Sequence, residues 1–298
     1  MALMSILVPP DAAALERLVR IALEEDAPWG DLTSDTLLAA DTKLSANLVA
    51  HEDGILGGID LFTTAMRLVD PTMNIAVNVE DGQLFTSGTV LASVTGSARA
   101  VLKAERVGLN FVQHLSGIAT LTAQYVAAAA GTSARIVDTR KTTPGLRVLE
   151  RYAVRCGGGR NHRFSLSDAV LVKDNHLAAV LAAGAANVTD ALKELRQRVP
   201  HTTHIEVEVD RLDQIDSVLA AGVDTIMLDN FSLGDLRRGV EQIAGRALVE
   251  ASGGVRLERI AQIAATGVDI ISVGALTHSV RSLDLGLDFT STPPVPAS

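Results

Sequence analysis

Charged residues gather at the ends of short apolar runs in the second half of the sequence. Arg140 and Lys141 follow one run, His162 and Arg163 sit in a loop, and Lys173 closes the next run. Arginine forks match carboxylates and phosphates through paired hydrogen bonds, and lysine supplies a point charge. The chain carries 26 Lys and Arg against 35 Asp and Glu, a formal net charge of -9. An acidic protein that collects cations in one place is built to hold a small polyanion. Glu206 and Glu208 alternate along one extended run, so they point to the same side. With Asp229 they suit a divalent ion that keeps its waters and a substrate phosphate, the usual magnesium arrangement. The same carboxylates would equally pair with the nearby cations.

Two late turns suit phosphate. Ser252-Gly253-Gly254 and Gly274-Ala275-Leu276-Thr277 each end an extended run and open a helix. Glycine lets the backbone approach closely, and a helix N-terminus offers unpaired N–H groups to an anion. Gly157-Gly-Gly159 leads into Arg160-Asn161-His162-Arg163 and reads as a flexible loop ending in donors. Arg147, Arg151 and Arg155 repeat at i, i+4 and read as a solvated helix face. Cys156 has no CxxC partner and reads as inert, and His51, His201, His204 and His278 show no metal-ligand spacing. No Walker loop and no Gly-x-Gly-x-x-Gly follows a strand, which removes the ordinary nucleotide-hydrolase and dinucleotide motifs.

The elements that must position these groups are legible from residue 135 onward. Apolar runs at 135–138, 169–173, 205–209, 225–229, 247–252 and 270–274 alternate with helical patterns at 210–221, 233–243 and 257–265. Continuous apolar runs read as buried parallel strands, and strand–helix alternation implies right-handed crossovers. Six such units predict an incomplete (β/α) barrel whose strand ends carry the site; those ends present Asp138, Lys173, Glu206, Glu208, Asp229, Glu250 and Gly274. Before them, a helix over 11–25 capped by Asp11, a helix over 61–69 and β-like runs at 45–51, 74–79 and 89–94 predict an N-terminal α+β domain. The expected division is 1–112 for that domain and 113–278 for the barrel, with 279–298 packing back on the first and the Pro-rich tail frayed.

Composition bounds the function. Hydrophobic residues at 47% and charged residues at 20% exclude a disordered chain. One cysteine excludes a disulfide scaffold and suits a reducing cytoplasm. The acidic balance argues against nucleic acid, and aromatics at 3% leave no stacking platform for single strands. Residues 107–134 lack any Asp, Glu, Lys or Arg, but Asn110, Gln113, His114, Ser116, Thr120, Thr122 and Gln124 interrupt them. That pattern reads as a long buried helix, not a membrane span. No targeting segment is visible at the start.

The runs Asp138-Thr-Arg-Lys-Thr-Thr-Pro-Gly145, Gly157-Gly-Gly-Arg-Asn-His-Arg163 and Leu171-Val-Lys-Asp-Asn-His176 closely resemble the quinolinate phosphoribosyltransferase family. Glu25-Asp-Ala-Pro-Trp-Gly-Asp-Leu-Thr-Ser34, Glu105-Arg106, Ile205-Glu-Val-Glu208, Met227-Leu-Asp-Asn230 and Ser252-Gly-Gly254 add to the likeness, which runs in order along nearly the whole chain. The resemblance implies transfer of phosphoribose from 5-phosphoribosyl 1-diphosphate to quinolinate, with release of diphosphate and CO2 and formation of nicotinate mononucleotide in NAD biosynthesis. It implies a quinolinate site of Arg106, Arg140, His162, Arg163 and Lys173. Lys141, Thr142, Glu208, Asp229, Ser252, Gly253, Gly254, Gly274 and Ala275 would serve the sugar donor. Lys141, Glu208 and Asp229 would be catalytic, and Glu208 and Asp229 would hold Mg2+ directly or through water. It also implies a homodimer with sites shared between subunits, or a larger assembly of such dimers. Competing readings are a paralogue with another acceptor or a link to molybdenum transport, a Schiff-base lyase using Lys173, and a non-catalytic anion sensor.

Overall fold

The computed structural model describes residues 7–290. They fold as two compact units. The first takes the chain up to Ala123, with Pro144–Gly158 and the stretch from Val280 onward; the second takes Gln124–Thr143 and Gly159–Ser279.

In the first unit, α1 (Ala12–Asp26) starts where expected, with the Asp11 side chain accepting from the N–H groups of Ala13 and Ala14. Then follow α2 (Leu32–Leu37), β1 (Lys43–Ala50), β2 (Gly54–Ile55), α3 (Ile59–Val69), β3 (Asn74–Val77), β4 (Leu84–Phe85), β5 (Val90–Ser97) and α4 (Ala98–Ala128). An antiparallel sheet has β1 and β5 side by side with β3 outside β5, and β12 (Leu285–Thr290) is the edge strand next to β1. Residues 280–290 return to this unit through the pairing of β12 with β1; the rest of the Pro-rich tail lies outside the described residues. Leu48, Phe62, Met66 and Leu91 are fully buried between the sheet and its helices. Each such side chain contributes about 1.5–3 kcal/mol by leaving water.

Most of the uncharged stretch, residues 107–128, lies in α4, a single helix of 31 residues. A boundary at 112/113 would cut this helix, so the change of unit comes near its end instead. No helix among the described residues is long and apolar enough to cross a membrane. Three polar residues of the stretch bond neighbouring backbone: Ser116 Oγ accepts from the Gly57 N–H at 3.1 Å and Thr120 Oγ1 from the Ile55 N–H at 2.8 Å, while Gln113 Nε2 donates to the Leu285 carbonyl at 2.6 Å.

Two expectations change at α5 (Arg147–Cys156), which belongs to the first unit. Its arginines are not a solvated face: Arg151 is buried and Arg147 and Arg155 are half-buried. The spacing alone cannot reveal this, because an i, i+4 row looks the same whichever way the helix turns. Nor does the first of the three glycines stand in open space. A Cβ on Gly157 would stand 2.2 Å from the Ala119 carbonyl oxygen on α4, so glycine is what lets the two backbones touch. Cys156 is buried, and burial with the nearby Asp81 charge pushes its thiol pKa up, which agrees with an inert residue.

The second unit is built on six parallel strands: β6 (Arg135–Val137), β7 (Val170–Val172), β8 (Ile205–Val209), β9 (Thr225–Asp229), β10 (Leu248–Ser252) and β11 (Ile270–Ser272). Their order is β6-β11-β10-β9-β8-β7. The two edges, β6 and β7, are not paired with each other, so the barrel is open. The loop at Arg160 bridges Val137 in parallel fashion and extends the β6 edge. Between the strands run α6 (Asp174–Ala182), α7 (Val188–Arg198), α8 (Ile215–Leu219), α9 (Leu233–Ile243), α10 (Ile260–Ala264) and α11 (Ala275–His278). The alternation read from the sequence is therefore the alternation observed, with the helices after β8 and β10 shorter than their patterns suggest.

Candidate active site

At the C-terminal ends of the strands the second unit opens into a cavity of about 950 Å³. Its lining draws on every strand of the sheet, which is how residues far apart in sequence meet. Arg140 and Lys141 come from the turn after β6. There Thr139 Oγ1 accepts from the Lys141 N–H at 3.1 Å, and the Lys141 carbonyl accepts from Thr277 Oγ1 at 2.7 Å. Arg163 lines the same cavity and donates from Nη1 to the Ala169 carbonyl at 3.0 Å. Burial and the like charge of Arg140 lower its pKa, opposed by the Glu206 and Asp168 carboxylates.

Lys173 ends β7 and forms an ion pair with Glu208 of β8. Its backbone N–H donates to His176 Nδ1 at 2.9 Å, which explains the histidine of the Lys-Asp-Asn-His run as a cap for α6. Asp229 ends β9 and accepts from Asn230 Nδ2 at 2.7 Å. Asn230 has φ of +58° and Gly253 has φ of +91°. A Cβ on Gly253 would lie 2.2 Å from Asn230 Oδ1, so the phosphate-like turn after β10 needs glycine to pass the turn after β9. Ser252, Gly253, Gly254, Gly274 and Ala275 all line the cavity.

A second cluster lies deeper. His162 Nε2 is 3.0 Å from Glu206 and 3.4 Å from Glu250. The two glutamates are 4% and 1% exposed. Burial alone would lower the His162 pKa, but the two acids outweigh it and push it up to about 10. Burial pushes Glu206 up to about 7, opposed by the His162 hydrogen bond and reinforced by Glu250. Among the described residues this is the one group of three whose donor atoms stand close enough to share a metal ion.

The structure thus separates residues that the sequence grouped. Glu206 does not join Glu208 and Asp229; two residues earlier on the same strand, it meets His162 and Glu250. Thr142 is absent from the cavity lining, and its N–H closes a turn on the Arg140 carbonyl at 3.0 Å. Arg106 is an exposed residue of α4 in the first unit, and every lining residue of the cavity comes from the second. Arg256 and His278 also line the cavity, and the sequence reading does not include them in the site. The signal for Arg256 is its position two residues after the glycine turn; His278 carries no such signal. Glu250 stood at a strand end with no sign of its partners.

An open parallel barrel with an appended α+β unit and a cation-lined, glycine-rimmed cavity at its strand ends defines a class of small-anion enzymes. Comparison with known proteins narrows the class. Residues 118–288 match the quinolinate phosphoribosyl transferase C-terminal domain and residues 31–116 the N-terminal domain of the same enzyme. The chain belongs to the quinolinate phosphoribosyl transferase family. It is 46% identical over 279 residues to the nicotinate-nucleotide pyrophosphorylase [carboxylating] of Mycobacterium leprae, covering 91% of this chain and 95% of that protein. It is 41% identical over 289 residues to the chloroplastic enzyme of that name from Arabidopsis thaliana, covering 92% and 82% of the two chains. The crystal structure of NadC from Streptococcus pyogenes superposes with a TM-score of 0.89 at 39% identity, covering 95% of this chain and 100% of that one.

Proposed function

We infer that this chain is a nicotinate-nucleotide pyrophosphorylase of the carboxylating type. It transfers phosphoribose from 5-phosphoribosyl 1-diphosphate to quinolinate, with loss of CO2, to make nicotinate mononucleotide for NAD biosynthesis. The observation that carries this reading is a single cavity that holds Arg140, Arg163 and Lys173 together with Ser252, Gly253, Gly254 and Gly274. Quinolinate bears two adjacent carboxylates, which match paired guanidinium forks and a lysine. The donor bears a phosphate and a diphosphate, which match backbone N–H groups at glycine turns.

In this reading Arg140, Arg163 and Lys173 bind and orient the acceptor so that its ring nitrogen meets the ribose carbon. Holding the two reactants in line accounts for much of the acceleration. As diphosphate departs, positive charge builds on the ribose; Glu208 and Asp229, both in the cavity lining, supply the negative charge that stabilises it in this reading. Lys141 balances charge on the departing group. Once ribosylated, the positive ring nitrogen stabilises the electron pair left at C2 as CO2 departs, and a proton from solvent takes the vacated position, so no organic cofactor is needed. The hard oxygen donors of Glu208 and Asp229, beside turns suited to phosphate, fit Mg2+, which would neutralise the diphosphate oxygens. Lys173 ion-paired to Glu208 disfavours the Schiff-base alternative, which needs an unpaired amine.

The working form in this reading is a homodimer in the cytoplasm, with Arg106 reaching the partner's acceptor site. The direct assay is formation of nicotinate mononucleotide and CO2 from quinolinate, phosphoribosyl diphosphate and Mg2+; absence of both products overturns the reading. For the shared site, Arg106→Ala and Lys173→Ala are each expected to be inactive. Refolded together, they should regain about a quarter of wild-type activity, because half the dimers are mixed and each has one intact site of two. No recovery after subunit exchange is confirmed by mass spectrometry would place Arg106 outside the partner's site.

A further inference from the structure

Where the chain leaves β10, Gly253 and Gly254 both have positive φ, +91° and +57°, and among the described residues neither N–H donates a hydrogen bond. Arg256 follows two residues later. Its backbone is extended, with φ of -123° and ψ of 153°, and its carbonyl accepts the Arg259 N–H at 3.0 Å, so a turn fixes the root of the side chain. The side chain is exposed, yet it lines the active-site cavity. Other exposed arginines of this unit hold acids close to them in sequence: Arg211 lies 3.2 Å from Asp213, and Arg238 pairs with Asp235. Arg256 has Glu258 two residues on, but among the described residues its guanidinium makes no hydrogen bond or ion pair. The turn after β11 brings His278, whose Nδ1 is hydrogen-bonded with Ser279 Oγ at 2.6 Å. Among the described lining residues, Arg256 is thus the one permanent cation that the turns after β9, β10 and β11 give to the cavity.

We propose that Arg256 binds the 5-phosphate of the sugar donor and sets the enzyme's affinity for a phosphorylated ribose. The proposal rests on the functional reading above, and it adds a side-chain cation to a set that the family resemblance draws from Ser252 and the glycine turns. Position decides which phosphate. The ribose carbon that loses diphosphate must meet the acceptor, whose cations Arg140, Arg163 and Lys173 belong to the β6 and β7 side of the cavity. β10 is separated from β6 by β11 and from β7 by β9 and β8, so Arg256 stands at the other end of the ribose. Charge balance decides why a cation is there. The phosphate enters a cavity that also holds Glu208, Asp229 and Glu250, and backbone N–H groups offer hydrogen bonds without net charge. A guanidinium supplies both, in a fork that matches two phosphate oxygens. Its exposure keeps the charge hydrated until the donor arrives.

The test titrates the full chain separately with ribose 5-phosphate and with inorganic diphosphate, each followed by ³¹P spectroscopy, so that nothing turns over. Arg256→Gln, which keeps a hydrogen-bonding side chain and removes the charge, is expected to weaken ribose 5-phosphate binding about tenfold and to leave diphosphate binding unchanged. An unchanged affinity for ribose 5-phosphate, a loss confined to diphosphate, or equal losses for both overturns the proposal. So does a wild type that does not bind ribose 5-phosphate. In a kinetic arm, Arg256→Gln should raise the KM for phosphoribosyl diphosphate about tenfold with the KM for quinolinate unmoved. Arg256→Lys, which keeps the charge but not the fork, should fall between Arg256→Gln and the wild type. Equal rises for both substrates, or a lysine variant no better than the glutamine one, also overturn it. Failure of the wild type to convert quinolinate, with ribose 5-phosphate still held through Arg256, would fell the functional reading alone.

Discussion

The rim and the floor of the barrel use the same residue types to opposite ends. At the rim, Arg140, Lys141 and Lys173 are partly exposed around an open cavity, and solvent can stand in for a ligand. At the floor, Glu206 and Glu250 are buried against His162. Charge at a wet rim costs little to keep and is available for binding. Charge at a dry floor must be paired, and breaking the pair leaves an uncompensated ion. Rim substitutions should therefore cost activity, and floor substitutions should cost stability as well.

The sharpest way to break this contrast is His162→Ala, which leaves two buried carboxylates facing each other. It should destabilise the chain by about 3–5 kcal/mol in denaturant unfolding. A wild-type unfolding midpoint would mean that the floor carries no such penalty. Next comes Arg140→Ala at the rim. It should lower kcat/KM for quinolinate about a hundredfold, near 2.7 kcal/mol, with the unfolding midpoint unmoved. Loss of stability to match would move Arg140 into the structural class. Asp229→Asn should fold normally and lower kcat by at least about tenfold, on the order of 1.4 kcal/mol; near-normal turnover would remove it from the reacting centre.

The positions of rim and floor were unequally legible. The alternation of apolar runs and helices announced the barrel, because a parallel strand buried on both faces must be apolar throughout. The rim was legible too, since Arg140, Lys173, Asp229 and Gly274 each sit where an apolar run stops. The floor was not. Glu206 and Glu208 differ by two positions and share a face, yet they lie in different layers of the barrel and meet different partners. Layer depth depends on strand register, such as Glu206 opposite Thr225 and Glu250 opposite Met227, and register is a tertiary property. The same limit hid the burial of Arg151, since helix periodicity gives the spacing of a face and not its orientation.

The smallest effect belongs to a third kind of charge, the solvent-facing pair of the first unit. Hydrogen bonds from Arg281 and from the Asp284 N–H hold the Glu52 pKa down, from 4.5 to about 2. A carboxyl group lowered on folding stabilises above its unfolded pKa, and that stabilisation is lost as pH falls from about 4.5 towards 2. For so exposed a pair it is worth ~0–1 kcal/mol. Arg281→Ala should be less stable than wild type by up to that amount at pH 6 and equal to it at pH 2. A difference that persists in acid would assign the loss to packing.

The claim that joins rim, cavity and family is that the cation wall is shaped for two adjacent carboxylates. A site built around paired charges penalises a ligand that lacks one of them, because its own groups are then left unpaired. The decisive measurement is kcat/KM for quinolinate beside kcat/KM for nicotinate, with phosphoribosyl diphosphate and Mg2+ held constant. Quinolinate should react far better and yield nicotinate mononucleotide with one CO2 per turnover; comparable values for the two acids would contradict a wall built for a dicarboxylate.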